Sequence, residues 1–203
     1  MKRILIASLL SLLCLAGSAQ NAVTRFVART DTSRLSLDYS FTVFGKTRIM
    51  GSGTAMVQGN AFKVEGGGLD IYCNGTDRWI VDEVEQEVAI EPVGPELSDA
   101  SSNPVALIGA INELFNIGPM QSGTFQKKQA QYSILTPRAD LDLSLMKLYF
   151  KGDLLIGIIV TMSDDSLSEI AVSNLKFSPK GDKSDFVFDT GKLDASWMVN
   201  DLR

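Results

Sequence analysis

Two cysteines, a few acidic pairs and no histidine make up the reactive inventory of this 203-residue chain. Without histidine there is no Ser-His-Asp or Cys-His catalytic unit, and the commonest metal ligand is missing. No Gly-x-Ser-x-Gly elbow and no P-loop occur, and Gly51-x-Gly53 lacks the third glycine of a dinucleotide fingerprint. Asp164-Asp165 and Asp140-x-Asp142 have the spacing of paired carboxylates or of part of a calcium loop, but they sit in turn-forming stretches and read as solvated turn residues. Cys73 is in phase with Leu69 and Ile71, so it reads as a small packed hydrophobe, with no basic neighbour in sequence to make a reactive thiolate. Asn74-Gly75-Thr76 matches a glycosylation acceptor and reads instead as a hairpin turn. These residues imply no enzyme, no metal and no cofactor; a chain acting on lipid or glycan by catalysis is the weakest of the readings.

The elements around them are mostly strands. Val23, Phe26 and Val27 recur at helical spacing, predicting a short amphipathic helix that ends near Asp31 to Ser33. Leu35, Leu37, Tyr39, Phe41 and Val43 then alternate with polar residues, as in a strand with one buried face. Turn signals at Gly45-Lys46, Gly59-Asn60, Gly66-Gly67-Gly68, Asn74-Gly75 and Asp82-Glu83 divide the following stretch into a six-strand meander. Asn74-Gly75 suits a type I′ hairpin, which needs positive φ at both central residues. A polar stretch from Pro92 to Asn103 leads to Leu107, Ile108, Ile111, Leu114 and Phe115. Their spacing predicts one helix, with Asn103 as N-cap, Pro104 in the first turn and Gly118-Pro119 as the stop. Further strands are expected at Tyr132 to Leu135, Leu143 to Phe150, Leu154 to Met162, Ser168 to Phe177 and Asp185 to Phe188. A switch of apolar parity between Ile170 and Phe177 marks a β-bulge.

At the start, Met1-Lys2-Arg3, the apolar run from Ile4 to Leu15 and the small residues Ala16 to Ala19 have the order of a secretory signal peptide. The run falls short of the about 20 apolar residues that span a bilayer. Residues 1–19 are thus expected to be removed, leaving residues 20–203 as one exported domain. Cys14 follows Leu13, where a lipidation site wants a small residue, so the mature chain reads as soluble. Loss of Lys2 and Arg3 takes the formal net charge from −5 to −7, which argues against nucleic acid and against charge-driven binding to anionic headgroups. Cys73 then stands alone and cannot staple the domain.

About eleven strands with two helices imply a mainly β fold with some α: a sheet that wide twists, curls or closes, and its alternating strands need an apolar cover on one face. Either side chains fill the hollow or a hydrophobic ligand does part of the work. The apolar lining candidates are Phe41, Ala55, Val57, Phe62, Trp79, Leu107, Ile111 and Phe115, with Met50, Met56 and Met162 as an adaptable addition.

The leader, the N-terminal helix, Gly51-Ser52-Gly53, Phe62, Asn74-Gly75, Trp79, Val84-Glu85-Gln86, Asn103-Pro104 with Leu107-Ile108, Leu135-Thr136-Pro137 and Phe186-Val187-Phe188, in that order, resemble the periplasmic lipoprotein carrier (LolA-like) family. The resemblance spans essentially the whole mature chain. It implies a curved antiparallel sheet forming an unclosed half β-barrel, lidded by helices, whose interior holds the acyl chains of lipid-modified proteins on their way from the inner to the outer membrane. By the same resemblance the partners are an ATP-driven inner-membrane extractor and an outer-membrane acceptor, and the carrier is a monomer. Phe62 matches a cavity-facing aromatic of the family. The family's cavity arginine sits just before the segment matching Gly59-Asn60-Ala61-Phe62, where this chain has Val57-Gln58 and no arginine. That departure supports the alternative: a binding module of the same fold for another lipid or hydrophobic small molecule, or an envelope sensor. A carrier makes physical sense because burial is worth ~0.8 kcal/mol per methylene, so roughly 30 methylenes hold a client in a membrane by on the order of 20 kcal/mol.

Overall fold

The computed structural model describes residues 21–66, 68–93, 106–139 and 141–203. The expected leader, Cys14, Asn103-Pro104, Asp140 and Gly67 lie outside them.

Helix α1 runs Ala22–Thr32, and its start is set by Asn21, whose side chain accepts a hydrogen bond from the Thr24 amide at 2.8 Å. Val23, Phe26, Val27 and Thr30 are its buried stripe, and the polar interior position is satisfied because the Thr30 hydroxyl donates to the Phe26 carbonyl at 3.0 Å.

Six meander strands follow: β1 (Arg34–Phe44), β2 (Arg48–Gln58), β3 (Ala61–Glu65), β4 (Asp70–Cys73), β5 (Asp77–Asp82) and β6 (Glu87–Pro92). A 3-10 turn (Ala106–Ala110) and a one-turn helix α2 (Ile111–Leu114) precede β7 (Phe115–Ile117), β8 (Gln121–Phe125), β9 (Lys128–Pro137), β10 (Leu143–Lys151), β11 (Leu154–Met162), β12 (Leu167–Ser178) and, after two more 3-10 turns, β13 (Met198–Asp201). Among the described residues these form one sheet in the order β13-β6-β5-β4-β3-β2-β1-β12-β11-β10-β9-β7, with β8 also on β9. The sheet is curved and unclosed, as expected, and antiparallel except at β13, which joins β6 in parallel.

Among the described residues the strand count rises from eleven to thirteen because β7, β8 and β13 are not among the expected strands, while the strand at Asp185 to Phe188 does not form. β7 and β8 are two stretches of one edge strand: Ile117 pairs with Leu135 and Gln121 with Tyr132, so the register slips by one residue across Gly118, Pro119 and Met120. Proline lacks an N–H and is tolerated at an edge bulge, so Gly118-Pro119 interrupts a strand where a helix stop was expected. The expected helix is correspondingly shorter; it ends at Leu114, and Phe115 is already extended and paired with Pro137. The expected strand at Asp185 to Phe188 is instead a 3-10 turn over Lys183–Phe186, closed when the Asp182 carboxylate accepts from the Ser184 amide at 2.8 Å. The alternation of Phe186 and Phe188 is real burial without a partner strand.

The bulge expected in β12 is present. Ser36 pairs with Lys176 but Asp38 with Ser173, leaving Asn174 and Leu175 opposite Leu37, with Asn174 at φ 50°. The turn at Asn74-Gly75 is not type I′, since only Gly75 has positive φ (93°). Its geometry comes from the Asn74 carboxamide, which accepts from the Thr76 and Asp77 amides at 2.8 and 2.9 Å. The two-residue hairpin with both central φ positive sits at Gln126-Lys127 (46° and 65°).

Directly paired residues of neighbouring strands share a face. One face therefore carries Leu35, Leu37, Tyr39, Ala55, Val57 and Val64, and α1 with the 3-10 turn lies on it. Phe26 of α1 meets Phe150 and Phe177 edge-on at 5.8 and 5.9 Å, so α1 covers the end of the face where β1 begins. The opposite face has its own cover over β4 to β6, where Phe188, Leu193 and Trp197 of the C-terminal segment pack on Trp79, Val81, Val88 and Ile90.

Close backbone approach fixes where glycine is required. A Cβ at Gly53 would lie 1.9 Å from the Glu65 carbonyl oxygen and 2.8 Å from the Tyr39 hydroxyl. Gly53→Ala is therefore expected to cost about 1–3 kcal/mol, read as a lower urea midpoint at unchanged slope.

Candidate functional site

The helix-bearing face is where the sequence-derived candidates converge. Ala55 and Val57 of β2, Leu107 of the 3-10 turn, Ile111 of α2 and Phe115 of β7 belong to one buried cluster, each at most 4 % exposed. Phe41 of β1 and Phe62 of β3 pack against that cluster but remain partly buried. Pairing places Phe62 between Val57 and Cys73, and Phe41 beside Gly51 and Ile170. The two aromatics therefore sit at the border of the packed interior, with Leu114, Ile117, Met120 and Met162 also partly buried against it.

Phe41 lies six residues along β1 from Leu35, about 20 Å at strand rise. The α1 contacts with Phe150 and Phe177 are at the Leu35 end, so Phe41 and Val43 lie toward the end of the face away from α1. Tyr39 stacks on Phe41 at 6.2 Å, and both rings stand opposite glycines, Gly53 and Gly51, whose missing side chains leave room for them. Burial, and secondarily the Asp70 charge, raise the Tyr39 pKa, so its hydroxyl stays neutral in an apolar setting.

The cover is held tightly. A Cβ at Gly109 would fall 2.0 Å from the Gly59 carbonyl oxygen, so the 3-10 turn rests on the β2–β3 turn backbone to backbone. The Asn112 carboxamide donates to Asp31 at 3.2 Å and links α2 to the end of α1.

Trp79 is not brought to this site. Trp79 pairs with Tyr72, Tyr72 with Lys63 and Lys63 with Met56, all on the opposite face, where Trp79 is 5 % exposed beneath the C-terminal segment. Met56 shares that face, and Met50, also there by register, is 67 % exposed; of the three methionines, Met162 packs against the helix-bearing cluster.

Tyr39 and Phe26 were missed among the candidates. For Tyr39 the signal was available, since it is in phase with Leu35, Leu37 and Phe41. A polar cavity of about 430 Å³ opens on the opposite face between Ser36, Asp38, Thr54, Lys63, Glu65 and Lys176. Its charges are largely engaged: Asn174 donates to Asp38 at 2.6 Å, and Glu65 pairs with Lys63 at 2.7 Å and accepts from Tyr72 at 3.0 Å.

Residues with possible reactivity have structural roles. Cys73 is 1 % exposed, its thiol pKa is pushed up by burial, and it faces the Asn60 carbonyl at 3.7 Å. Hydrogen bonds from the Ser166 hydroxyl and, at 2.9 Å, from the Ser166 amide within the β11–β12 turn hold the Asp164 carboxyl below the usual range. Among the described residues no three or more His, Cys, Asp or Glu side chains gather as a metal site, and no helix is long and apolar enough to cross a membrane.

No family model and no curated protein matches the chain. Solved structures do: an uncharacterised conserved protein from Thermus thermophilus is similar at 10% identity, covering 88% of this chain and 96% of that one, with a TM-score of 0.51. The LolA superfamily protein NE2245 from Nitrosomonas europaea aligns at 10% identity over 82% of this chain and 97% of its own, with a TM-score of 0.46. A candidate outer-membrane lipoprotein-sorting protein domain from Vibrio parahaemolyticus aligns at 10% identity over 82% of this chain and 97% of its own, with a TM-score of 0.44. What the first of these likenesses shows is the fold.

Proposed function

We propose that this protein is a periplasmic carrier that shields the acyl chains of lipid-modified proteins on the helix-bearing face and ferries them from the inner to the outer membrane. The observation that carries the reading is the state of that face: an apolar cluster running along an unclosed sheet, covered by α1 and the 3-10 turn, with Phe41 and Phe62 partly buried at its border. Acyl chains need a broad apolar surface and no directed polar groups. The partly buried residues, Met162 and Met120 among them, offer an adaptable border against which a chain gains burial without being locked in. The order of motifs along the sequence, from Gly51-Ser52-Gly53 to Phe186-Val187-Phe188, supports the same reading. On it, the chain is exported after loss of residues 1–19, and residues 20–203 act as one non-catalytic domain. It receives its client from an ATP-driven extractor and hands it to an outer-membrane acceptor.

A second reading, a binding module or envelope sensor of the same fold for another lipid or hydrophobic small molecule, is favoured by one specific observation. Just before Gly59, where the resembled family has its cavity arginine, this chain has Val57, buried in the apolar cluster, and Gln58, which turns to the opposite face and holds the C-terminal segment.

Native mass spectrometry of protein purified from the periplasm of its own cells separates the readings. A bound triacylated lipoprotein, lost when the client's lipidated cysteine is replaced, is the expected result. A small lipid or pigment alone would transfer the assignment to the second reading, and an empty protein would overturn both.

A further inference from the structure

The tip of the β1–β2 hairpin exposes large apolar side chains that nothing in the fold uses. Phe44 is 42 % exposed, Ile49 56 % and Met50 67 %. Register puts them on both sides of the ribbon: Ile49 pairs with Val43 on the helix-bearing face, and Met50 pairs with Thr42 on the other. The partner strands explain why. β1 and β2 pair along their whole length, but β3 meets β2 only from Thr54 to Gln58, so the Arg48 to Gly53 half of β2 is an edge.

Charge on this hairpin differs from the rest of the molecule. In a chain of net charge −5, residues 39–64 contain no Asp or Glu and carry Lys46, Arg48 and Lys63. Lys46 and Arg48 are exposed at the tip, and the Arg48 guanidinium lies over the Phe44 ring at 5.3 Å, its stem covering the ring while its charge stays outward.

We propose that this hairpin tip docks on a lipid bilayer, with Phe44, Ile49 and Met50 in the headgroup–acyl boundary and Lys46 and Arg48 among the lipid phosphates. A flat protein partner would cover one side of a ribbon; apolar groups on both sides fit a medium that surrounds the tip. The two cations complement anionic headgroups at the depth where long basic side chains reach them. Depth is limited by the neighbouring β11–β12 turn, which Phe44–Leu167 pairing sets alongside and whose Asp164 and Asp165 stay in water. A docking point at this end of the sheet also lies on the side of Phe41 and Val43, away from α1. The inference goes beyond the carrier reading and does not depend on a client.

The test is flotation of the intact chain with mixed phosphatidylethanolamine–phosphatidylglycerol vesicles, run on delipidated and on freshly purified protein. Both samples are expected to float. The double variant Ile49→Ser/Met50→Ser is expected to weaken partitioning by at least about tenfold, as loss of two interfacial apolar side chains requires. Its thermal melting should be unchanged, because both residues are exposed. In Phe44→Trp the new indole is expected to be quenched by brominated acyl chains. Lys46→Glu should weaken binding more at low salt than at high salt. Failure of the wild-type chain to float, or equal flotation of the Ser/Ser variant, overturns the proposal and leaves the acyl-chain reading to its own mass-spectrometric test.

Discussion

Leu107→Asp is expected to unfold the protein, whereas Phe62→Glu is expected to leave it folded and unable to hold an acyl chain. The two residues are adjacent in function as read from sequence, but the structure separates their energetics. Leu107 is 0 % exposed between α1 and β2, in the 3-10 turn that rests on Gly59. Truncating such a side chain costs about 2–5 kcal/mol, and placing an unpaired carboxylate there adds a desolvation cost of several kcal/mol. Against a total stability of about 5–15 kcal/mol this is enough to abolish folding. Phe62 is only partly buried, and its carboxylate replacement reaches water at the border of the cluster. What it removes is the apolar border on which a methylene chain would lie. Circular dichroism melting and retention of a fluorescent fatty acid, measured on both variants, check the pair. A folded Leu107→Asp would mean that the cover is loose, and an unfolded Phe62→Glu would make Phe62 part of the core.

The contrast also marks what residue patterns carry and what they leave out. Alternation in β1 placed Leu35, Leu37 and Tyr39 on one face correctly, because a period of two is dictated by the pleat and one face is covered. The helical spacing of Val23, Phe26 and Val27 located α1, since its apolar stripe must meet the sheet. Parity alone does not say which face will be covered at a given strand. Trp79 alternates as a core residue should, yet its cover is the C-terminal segment, more than a hundred residues away in the chain, and that places it opposite Phe62. Helical spacing over 107–115 was obeyed only to Leu114, because Phe115 gains a strand partner in Pro137. The hairpin at Gln126-Lys127 was hidden because neither residue type announces positive φ; there the ladder from Gln121 to Phe125 against β9 imposes it. Of the site, the aliphatic lining of β2 and the helical cover was readable as composition and phase. Its partly open border at Phe41 and Met162 was not, since it depends on how far α1 extends over the sheet.

Gln58→Arg is expected to destabilise the protein by on the order of 3 kcal/mol and to release the C-terminal segment to protease. Gln58 is 7 % exposed, and its carboxamide is used at both ends: the oxygen accepts from Arg34 Nε at 3.0 Å and from the Gly181 amide at 2.9 Å, while the nitrogen donates to the Gly181 carbonyl at 3.0 Å. Arg34 continues the network, donating to Asp185 at 2.6 Å and to the Asp182 carbonyl at 2.9 Å, with its guanidinium 5.1 Å above the buried Phe186 ring. A second guanidinium at position 58 has no acceptor for Arg34 Nε or the Gly181 amide, and it sets like charges together where water is scarce. The loss of the two accepted hydrogen bonds and the repulsion act in the same direction, within the range of about 3–5 kcal/mol seen when one partner of a buried charged contact is replaced. Gln58→Glu keeps an oxygen that accepts from both Arg34 Nε and the Gly181 amide and adds a charge opposite to that of Arg34, so it is expected to cost less than Gln58→Arg even though it can no longer donate to the Gly181 carbonyl. Urea midpoints of the two variants, with limited proteolysis followed by mass mapping near Lys180 and Lys183, distinguish the outcomes. Equal stability of wild type and Gln58→Arg would show that the Arg34–Gln58–Gly181 contact does not fasten the segment.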